Sequence, residues 1–140
     1  MSQEVRSADP VELTRRLYEA ADRGDCDAMM GLFRPDAVWD LSEAGIGTFE
    51  GAAAIRRLVE DWQGSYEDYK VDVEEIRDLG NGVTLAVSLQ TGRPAGSTGE
   101  VQIRFASIQV CEDGLIAWMK NYNEIDETRA AAERLAAERG

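Results

Sequence analysis

The sequence contains no histidine and only two cysteines. Histidine is the usual general base near neutral pH and the commonest metal ligand, so its absence excludes serine–histidine–aspartate, cysteine–histidine and histidine-ligated zinc chemistry. Cys26 and Cys111 lie far apart and form no CxxC pattern, and we interpret them as small buried hydrophobic side chains. Any acid–base chemistry must therefore use carboxylates, tyrosine, lysine or water, and we expect no metal and no cofactor.

Long apolar runs and basic clusters are also missing. The first ten residues lack the apolar centre of a signal peptide, and no apolar run is long enough to span a bilayer. Lysine and arginine number 15 against 27 acidic residues, a formal net charge of −12 that repels phosphate backbones. The glycine-rich segment 92–99 has no lysine before Ser97 and opens no helix, which excludes a nucleotide site. We expect a soluble cytoplasmic protein with no nucleic acid and no membrane among its partners.

The remaining composition is that of one globular domain. The chain has 140 residues, of which 44% are hydrophobic and 30% charged. Asp9 caps a first predicted helix, which Gly24 ends, and Asp25 caps a shorter second helix that carries Leu32 and Phe33. An apolar stripe at helical spacing predicts a third helix over 55–62.

Strands follow the helices. Residues 37–41 predict a short strand, and the three glycines of 42–51 indicate a loop. Alternating polarity and two hairpin signals predict four further strands, over 69–78, 83–91, 100–111 and 115–124. A mostly charged final helix is predicted over 127–139. Helices before strands are typical of an α+β fold with a mostly antiparallel sheet, whose concave face can enclose a cavity.

Four local patterns occur in an order that resembles the nuclear-transport-factor-2-like superfamily, and within it the SnoaL-like group. They are LYEAADRGD at 17–25, LFRPDAVW at 32–39, FEG with AIR at 49–56, and RFA with DGLI at 104–116. The resemblance implies a cone-shaped α+β fold of three N-terminal helices on a curved sheet. It also implies a single domain over 1–140, with a core at about 9–128 and a surface or fraying helix at 129–140.

The resemblance further implies a homodimer through the convex face of the sheet. If Ser107 and Asn121 point inward, alternation turns the neighbouring apolar side chains outward. An apolar row on the outside of a sheet is typical of an interface. The row consists of Ala106, Ile108, Val110, Trp118 and Tyr122.

The superfamily includes ketosteroid isomerases, polyketide cyclases, epoxide hydrolases, dehydratases and non-catalytic binding domains, so membership does not determine function. Ketosteroid isomerases carry a tyrosine on the first helix, an aspartate on the first strand and an aspartate on a late strand. One-residue shifts, which turn a strand residue to the other face, leave each match open. The matching positions are Leu17 or Tyr18, Asp40 or Leu41, and Ser107 or Ala106.

The cyclases of the SnoaL-like group carry a histidine on the late strand and an aspartate on the last strand. Those positions match Ser107 and Asn121, neither of which is ionisable near neutral pH. Both side chains can still form hydrogen bonds to a carbonyl or hydroxyl group of a ligand. The cyclase mechanism is therefore not expected in this chain.

Asp40 and Tyr18 are the candidate catalytic residues. A carboxylate beside Trp39 in an apolar pocket would have a raised pKa and act as a base, while Tyr18 or Asn121 polarises the substrate oxygen. The alternatives are a solvated Asp40 at the strand end and a Tyr18 in the core. We expect Arg104 to face outward. The candidate ligand-binding residues are Trp39, Trp62, Phe105, Ser107, Met119, Asn121 and Asn123.

Three functions remain after these exclusions. The first is a binding domain that holds a small, mostly apolar or carbonyl-bearing molecule in the cavity, with Ser107, Asn121 and Asp40 as polar anchors. The second is a cofactor-independent lyase, isomerase or hydrolase with Asp40 as general base. A purely structural dimerisation module is a third. Whether Asp40, Ser107 and Asn121 converge on one closed pocket discriminates between the first two.

Overall fold

The computed structural model describes residues 9–140, in which four helices pack on one six-stranded sheet. The helices are α1 (Pro10–Arg23), α2 (Cys26–Met30), α3 (Ala52–Gly64) and α4 (Ile125–Arg139). The strands are β1 (Phe33–Leu41), β2 (Gly47–Glu50), β3 (Tyr66–Gly80), β4 (Val83–Pro94), β5 (Val101–Glu112) and β6 (Leu115–Tyr122). The α+β prediction is confirmed. Within residues 9–140, no helix combines the length and apolarity that crossing a bilayer requires.

The strand order in the sheet is β2-β1-β6-β5-β4-β3. All neighbouring strands are antiparallel except β1 and β6, which are parallel. This parallel pair places β1, the first strand in the sequence, beside β6, the last strand. The side chains of β1 and β6 that share a face therefore lie close together, although they are far apart in the sequence.

The predicted ends of α1 are correct. The Asp9 carboxylate accepts a hydrogen bond from the Val11 backbone N–H, and Pro10 occupies the first turn, where its missing N–H costs nothing. Gly24 ends the helix with a φ of 70°, a left-handed conformation that glycine adopts without strain. These local signals depend on neighbouring residues only, which is why the sequence alone revealed them.

The region that joins α2 to α3 differs from the prediction. Phe33 belongs to β1 and not to the second helix, because it pairs with Ile116 of β6. The predicted loop over 42–51 contains β2, in which Phe49 pairs with Trp39. A turn of 3-10 helix over Ser42–Ala44 returns the chain onto β1. In both places, strand pairing with another segment of the chain decides the secondary structure, and the local sequence pattern does not.

The main core lies between the concave face of the sheet and helices α1 and α3. Its largest wholly buried side chains come from both layers, so the helices and the sheet bury one another. Burial of this kind supplies most of the stability of a small domain. These side chains include Leu17, Ile55, Ile116 and Met119.

Helix α4 covers the convex face of the sheet. Its small residues Ala131, Ala132 and Ala136 pack against Val83, Ile108 and Val110 in a second buried cluster. The helix predicted at the surface or fraying over 129–140 thus has an exposed outer face and an alanine face buried on the sheet. Alanine carries too little side chain to produce a strong amphipathic pattern, but small residues allow a helix to approach a sheet closely.

Polar contacts at both ends of α4 hold it on the sheet. The Arg129 guanidinium donates two hydrogen bonds to the Glu75 carboxylate of β3, at 2.8 and 2.6 Å. Near the other end, the Asn81 side-chain Nδ2 donates to the Ala136 backbone carbonyl at 2.6 Å. The Arg139 Nε donates to the Asn81 backbone carbonyl at 2.9 Å. Hydrogen bonds of this kind restrict the position of the helix along the sheet.

The convex-face interface predicted for a homodimer is therefore not available as expected. Helix α4 of the same chain occupies that face. Four of the five proposed interface residues belong to the cluster beneath it, and the fifth, Ala106, is also buried. The four are Ile108, Val110, Trp118 and Tyr122.

Candidate functional site

A cavity of about 220 Å³ lies between helices α1 and α3 and the concave face of the sheet. Its deep wall is apolar and includes Leu17, Met29 and Val59, all of which are buried. Its mouth opens between Ile46, on the turn before β2, and Ile103 of β5. A mostly apolar, concave site of this kind is the usual place for a small ligand.

A second cleft, of about 570 Å³, lies on the surface between α1 and β3. Most of its lining side chains are charged, and several of them already form ion pairs, such as Glu75 with Arg129. It is open to solvent and lacks an apolar floor large enough to enclose a ligand. We therefore treat the apolar cavity as the candidate functional site.

Asn121 of β6 presents an amino group to the cavity. The indole N–H of Trp39 donates to the Asn121 Oδ1 at 2.8 Å. Because an indole is a donor only, the amide oxygen must face Trp39, and the Nδ2 amino group turns the other way. No hydrogen bond within residues 9–140 uses that amino group. It can donate to an oxygen atom of a ligand.

Tyr18 provides a second polar group at the same part of the cavity. Its hydroxyl shares a hydrogen bond of 2.6 Å with Ser107 Oγ, which also accepts from the Gln109 Nε2 at 2.5 Å. When Ser107 donates its own proton to Tyr18, the phenol proton is left for a ligand. Burial raises the pKa of Tyr18, so the phenol stays protonated. Ser107 pairs directly with Asn121 across β5 and β6.

A buried chain of hydrogen bonds continues from Ser107 away from the cavity. Thr84 donates to the Gln109 Oε1 at 3.0 Å, and the hydroxyls of Thr84 and Thr14 lie 2.8 Å apart. These groups join α1 to β4 and β5 and satisfy one another inside the core. A fully satisfied buried network holds its members in defined positions, which in turn positions the Tyr18 hydroxyl.

A separate group of polar side chains forms one wall of the cavity. The Trp62 indole donates to the Tyr69 hydroxyl at 3.1 Å, and Tyr69 donates to the side-chain Oε1 of Gln90. The Gln90 Nε2 donates to the Ser88 Oγ at 3.3 Å. Burial raises the pKa of Tyr69 to about 12. The Trp62 ring also packs edge-on against Phe105, with ring centroids 6.1 Å apart. The polar atoms of this wall are occupied by one another.

No carboxylate lines the cavity within residues 9–140. Among its lining residues in the described part of the chain, the only charged side chain is that of Arg104. Its guanidinium donates two hydrogen bonds to Glu74 on the surface, at 2.6 and 2.9 Å, in keeping with the expected outward orientation. Within residues 9–140, no group of three or more cysteine and acidic side chains is arranged to hold a metal ion. The arrangement suits a neutral ligand.

Asp40 does not face the cavity. Alternation along β1 turns Trp39 and Leu41 inward, where both line the cavity, and turns Asp40 to the other face. The Asp40 Oδ1 accepts hydrogen bonds from the Ser42 hydroxyl at 2.6 Å and the Ser42 backbone N–H at 2.9 Å, and its Oδ2 lies 3.6 Å from Lys120 Nζ. The Ser42 hydroxyl is the main cause of a lowered pKa of Asp40. The expected raised pKa is wrong, because the strand register places Leu41 inward.

A sequence profile of the SnoaL-like domain matches residues 14–119 of this chain. The chain belongs to the SnoaL-like domain family. The matched segment includes Tyr18, whereas Asn121, the other residue that presents a hydrogen-bond donor to the cavity, lies two residues beyond it. No curated protein sequence matches this SnoaL-like domain significantly.

Solved structures share the fold of this SnoaL-like domain at low sequence identity. A protein of ketosteroid isomerase-like fold from Catenulispora acidiphila, in complex with trimethylamine, is 16% identical with a TM-score of 0.72, covering 86% of this chain and 92% of that one. A putative polyketide cyclase from Xanthomonas campestris is 22% identical with a TM-score of 0.68, covering 94% and 99%. An epoxide hydrolase of M. tuberculosis is 18% identical with a TM-score of 0.69, covering 96% of each chain.

The structure places most of the predicted site residues of the SnoaL-like domain at the cavity. Tyr18 lines it, and so do five of the seven predicted ligand-binding residues: Trp39, Trp62, Phe105, Asn121 and Asn123. Ser107 lies behind Tyr18 and reaches the cavity only through it. Met119 is wholly buried in the main core and is not among the described residues that line the cavity.

Sequence reasoning missed several residues that shape the site. Ile103 lines the cavity, and Gln109 holds Ser107 in place. Leu41, which the sequence left open as the alternative to Asp40, lines the cavity too. Alternation along β5, continued in both directions from Ser107, points to Ile103, Phe105 and Gln109 on one face. That signal was present in the sequence. The inward position of Leu41 required the register of β1, which its sequence does not determine.

Replacing Asp40 by asparagine tests its placement on the outer face. The folded state lowers the pKa of this carboxyl, so its contribution is complete above the unfolded pKa of roughly 3.9 and is lost as pH falls through the lower folded value. We expect Asp40→Asn to reduce stability at pH 7 by up to about 1 kcal/mol, since the side chain is partly exposed. The difference should shrink at pH 3. Urea unfolding at both pH values measures it.

The exposed Asp61→Asn variant in α3 is the matched control for this substitution, and we expect little change in it at either pH. A loss of stability in Asp40→Asn that stays the same at pH 3 and pH 7 would contradict the assignment of a lowered pKa.

Proposed function

We propose that this SnoaL-like domain binds a small, neutral, mostly apolar molecule that carries a carbonyl oxygen. The Asn121 amino group carries the proposal, because the hydrogen bond from Trp39 turns it toward the cavity with no protein partner in the described chain. The Tyr18 hydroxyl is the second donor. A ligand oxygen that accepts from both groups would compensate for their loss of water.

The size and polarity of the cavity support a ring-sized ligand. Apolar cavities of roughly 150 Å³ accommodate benzene, so about 220 Å³ is enough for a ring with a short substituent. The aromatic side chains Trp39, Trp62 and Phe105 provide flat surfaces for such a ring. The lack of a carboxylate in the cavity supports a neutral ligand over a cationic one.

The alternative is a cofactor-independent lyase, isomerase or hydrolase. Two donors at one ligand oxygen would stabilise negative charge that develops there, and this favours such chemistry. Proton abstraction also needs a base, however, and Asp40 lies on the other face of β1 while Tyr18 has a raised pKa. The geometry therefore supports binding better than catalysis.

Two further properties stay predictions. A cytoplasmic location is one. A homodimer is the other, and it now requires a surface other than the sheet face under α4. The solved structure from Catenulispora acidiphila, which holds trimethylamine, supports the broader proposal that domains of this fold receive small molecules.

Acetophenone is a suitable first probe, because it combines one ring with one carbonyl group. We expect saturable binding with a Kd of about 1 mM or tighter, which is reasonable for a ligand of this size. Quenching of tryptophan fluorescence measures it, since Trp39 and Trp62 line the cavity. Ethylbenzene has a similar shape without the oxygen and should bind about tenfold more weakly.

Two outcomes would count against the proposal. Equal affinity for ethylbenzene and acetophenone would show that the donors are not used. Protein-dependent deuterium exchange at the acetophenone methyl group, followed by NMR, would show that the domain abstracts a proton and would favour the catalytic alternative.

A further inference from the structure

The three large hydrophobic side chains that are exposed in residues 9–140 lie at the cavity mouth or next to it on the same strand. They are Ile46, Val101 and Ile103, with exposed fractions of 44%, 36% and 42%. Ile46 and Ile103 line the opening itself. Val101 precedes Ile103 by two residues on β5, so both side chains lie on the same face of the sheet.

Single exposed apolar residues are common on protein surfaces, but a group at one opening indicates a binding surface. The cavity-facing side of β5 stays apolar beyond Phe105, through Ile103 to Val101. The other side of the same segment carries Gln102 and Arg104. The apolar face of the strand thus extends past the edge of the enclosed cavity.

Within the described residues, buried side chains close the deep end of the cavity. Leu17, Met29 and Val59 are buried there against the rest of the core. A ligand longer than the enclosed space must therefore extend outward through the mouth. The apolar residues at the mouth lie where the protruding part of such a ligand would pass.

Exposed acidic residues flank the mouth in the sequence. Glu100 precedes Val101 and Glu124 follows Asn123, whereas Glu43, which precedes Ala44, is paired with Lys120 at 3.8 Å. In a chain of net charge −12, these carboxylates disfavour a protruding group with negative charge. The chemistry of the mouth therefore suits a neutral, apolar chain.

We propose that the ligand is elongated, with its ring and carbonyl group in the cavity and a neutral alkyl chain lying across Ile46, Val101 and Ile103. This inference rests on the proposed function and adds the ligand class: an aryl ketone, or a similar carbonyl compound, with an apolar tail. The tail gains affinity by covering side chains that are otherwise exposed to water.

A homologous series of phenyl alkyl ketones tests the inference, from acetophenone through butyrophenone and hexanophenone to octanophenone. Full burial of a methylene group improves affinity about fourfold, and half burial on the mouth surface about twofold. We expect affinity to rise by about twofold per methylene after the enclosed cavity is full. Tryptophan fluorescence gives the Kd of each member.

The double variant Val101→Thr/Ile103→Thr removes apolar surface at the mouth and keeps side chains suited to a strand. We expect the gain in affinity from acetophenone to octanophenone, taken as the ratio of their two Kd values in the same variant, to be mostly lost. Gln102→Thr is the matched control, because it changes the opposite face of the same strand segment. The control should keep the wild-type dependence on chain length.

The outcomes separate this inference from the proposed function. If acetophenone binds but the affinity of the wild-type protein levels off from butyrophenone onward, the elongated ligand is wrong and the proposed function stands. An unchanged dependence on chain length in the double variant would equally refute it. If no ketone of the series binds, both are wrong.

Discussion

Replacing Asn121 by aspartate should weaken binding of acetophenone by tenfold to a hundredfold. The substitution removes the amino group that faces the cavity and places a carboxylate oxygen opposite the carbonyl oxygen of the ligand. The loss of a hydrogen bond and the repulsion between the two oxygens together account for roughly 1.4–3 kcal/mol. The new carboxylate can still accept the hydrogen bond from Trp39. Fluorescence titration and a thermal melt measure affinity and folding.

Asn123→Asp is the matched control, because it introduces the same charge at the exposed mouth of the cavity. It should bind acetophenone about as well as the wild-type protein. Affinity of Asn121→Asp should recover as pH falls, because burial raises the pKa of a carboxyl group and its protonated form donates again. If Asn121→Asp and Asn123→Asp bind alike at neutral pH, Asn121 does not contact the ligand.

Replacing Ala132 by glutamate should destabilise the domain by about 3 kcal/mol or more. Ala132 has an exposed fraction of 0% and packs between α4 and the convex face of the sheet. A glutamate there must bury an unpaired carboxylate or displace the helix, and displacement would expose Ile108 and Val110. The melting temperature should fall by roughly 10 °C, and urea unfolding gives the free energy.

Ala130→Glu provides the comparison, since it makes the same change at an exposed position of the same helix. A surface substitution of this kind usually changes stability by no more than about 0.5 kcal/mol. If Ala132→Glu and Ala130→Glu have the same free energy of unfolding, α4 does not cover the sheet. The convex face would then be available for a partner subunit.

Much of the fold was predictable because its signals are local. The capping of α1 by Asp9 and its end at Gly24 depend on a few neighbouring residues. The alternating polarity along β3 is also a local pattern, although the middle of β4 and of β5 is buried on both faces. β2 and the start of β1 were not predictable, since they depend on pairing with other segments, as Phe33 does with Ile116.

The packing of α4 on the convex face of the sheet was not predicted, for a related reason. The sequence of α4 is rich in alanine and charge, so its pattern shows neither a wide apolar stripe nor a polar surface helix. Only the packing of α4 on Val110 and the hydrogen bond from its Arg129 to Glu75 of β3 show that its alanines face the sheet. The apolar residues on the convex face of the sheet therefore predicted contact with a second subunit. In the structure, helix α4 of the same chain packs on them.

For the candidate site, too, some conclusions followed from the sequence and others required the structure. The sequence alone determined that no histidine is present and that Ser107 and Asn121 stand where related cyclases carry ionisable groups. It also determined that the chain has enough aromatic residues to surround a ligand. Each of these conclusions depends on residue identity, which needs no coordinates.

The tertiary structure decided which side chains meet. The register of β1 turns Leu41 inward and Asp40 outward, because one step along a strand reverses the face. Pairing of β1 with β6 brings Trp39 to Asn121, and that hydrogen bond turns the amino group toward the cavity. The missing histidine excluded whole classes of chemistry. The missing carboxylate in the cavity, which depends on packing between distant segments, turned the exclusion into a specific expectation of binding.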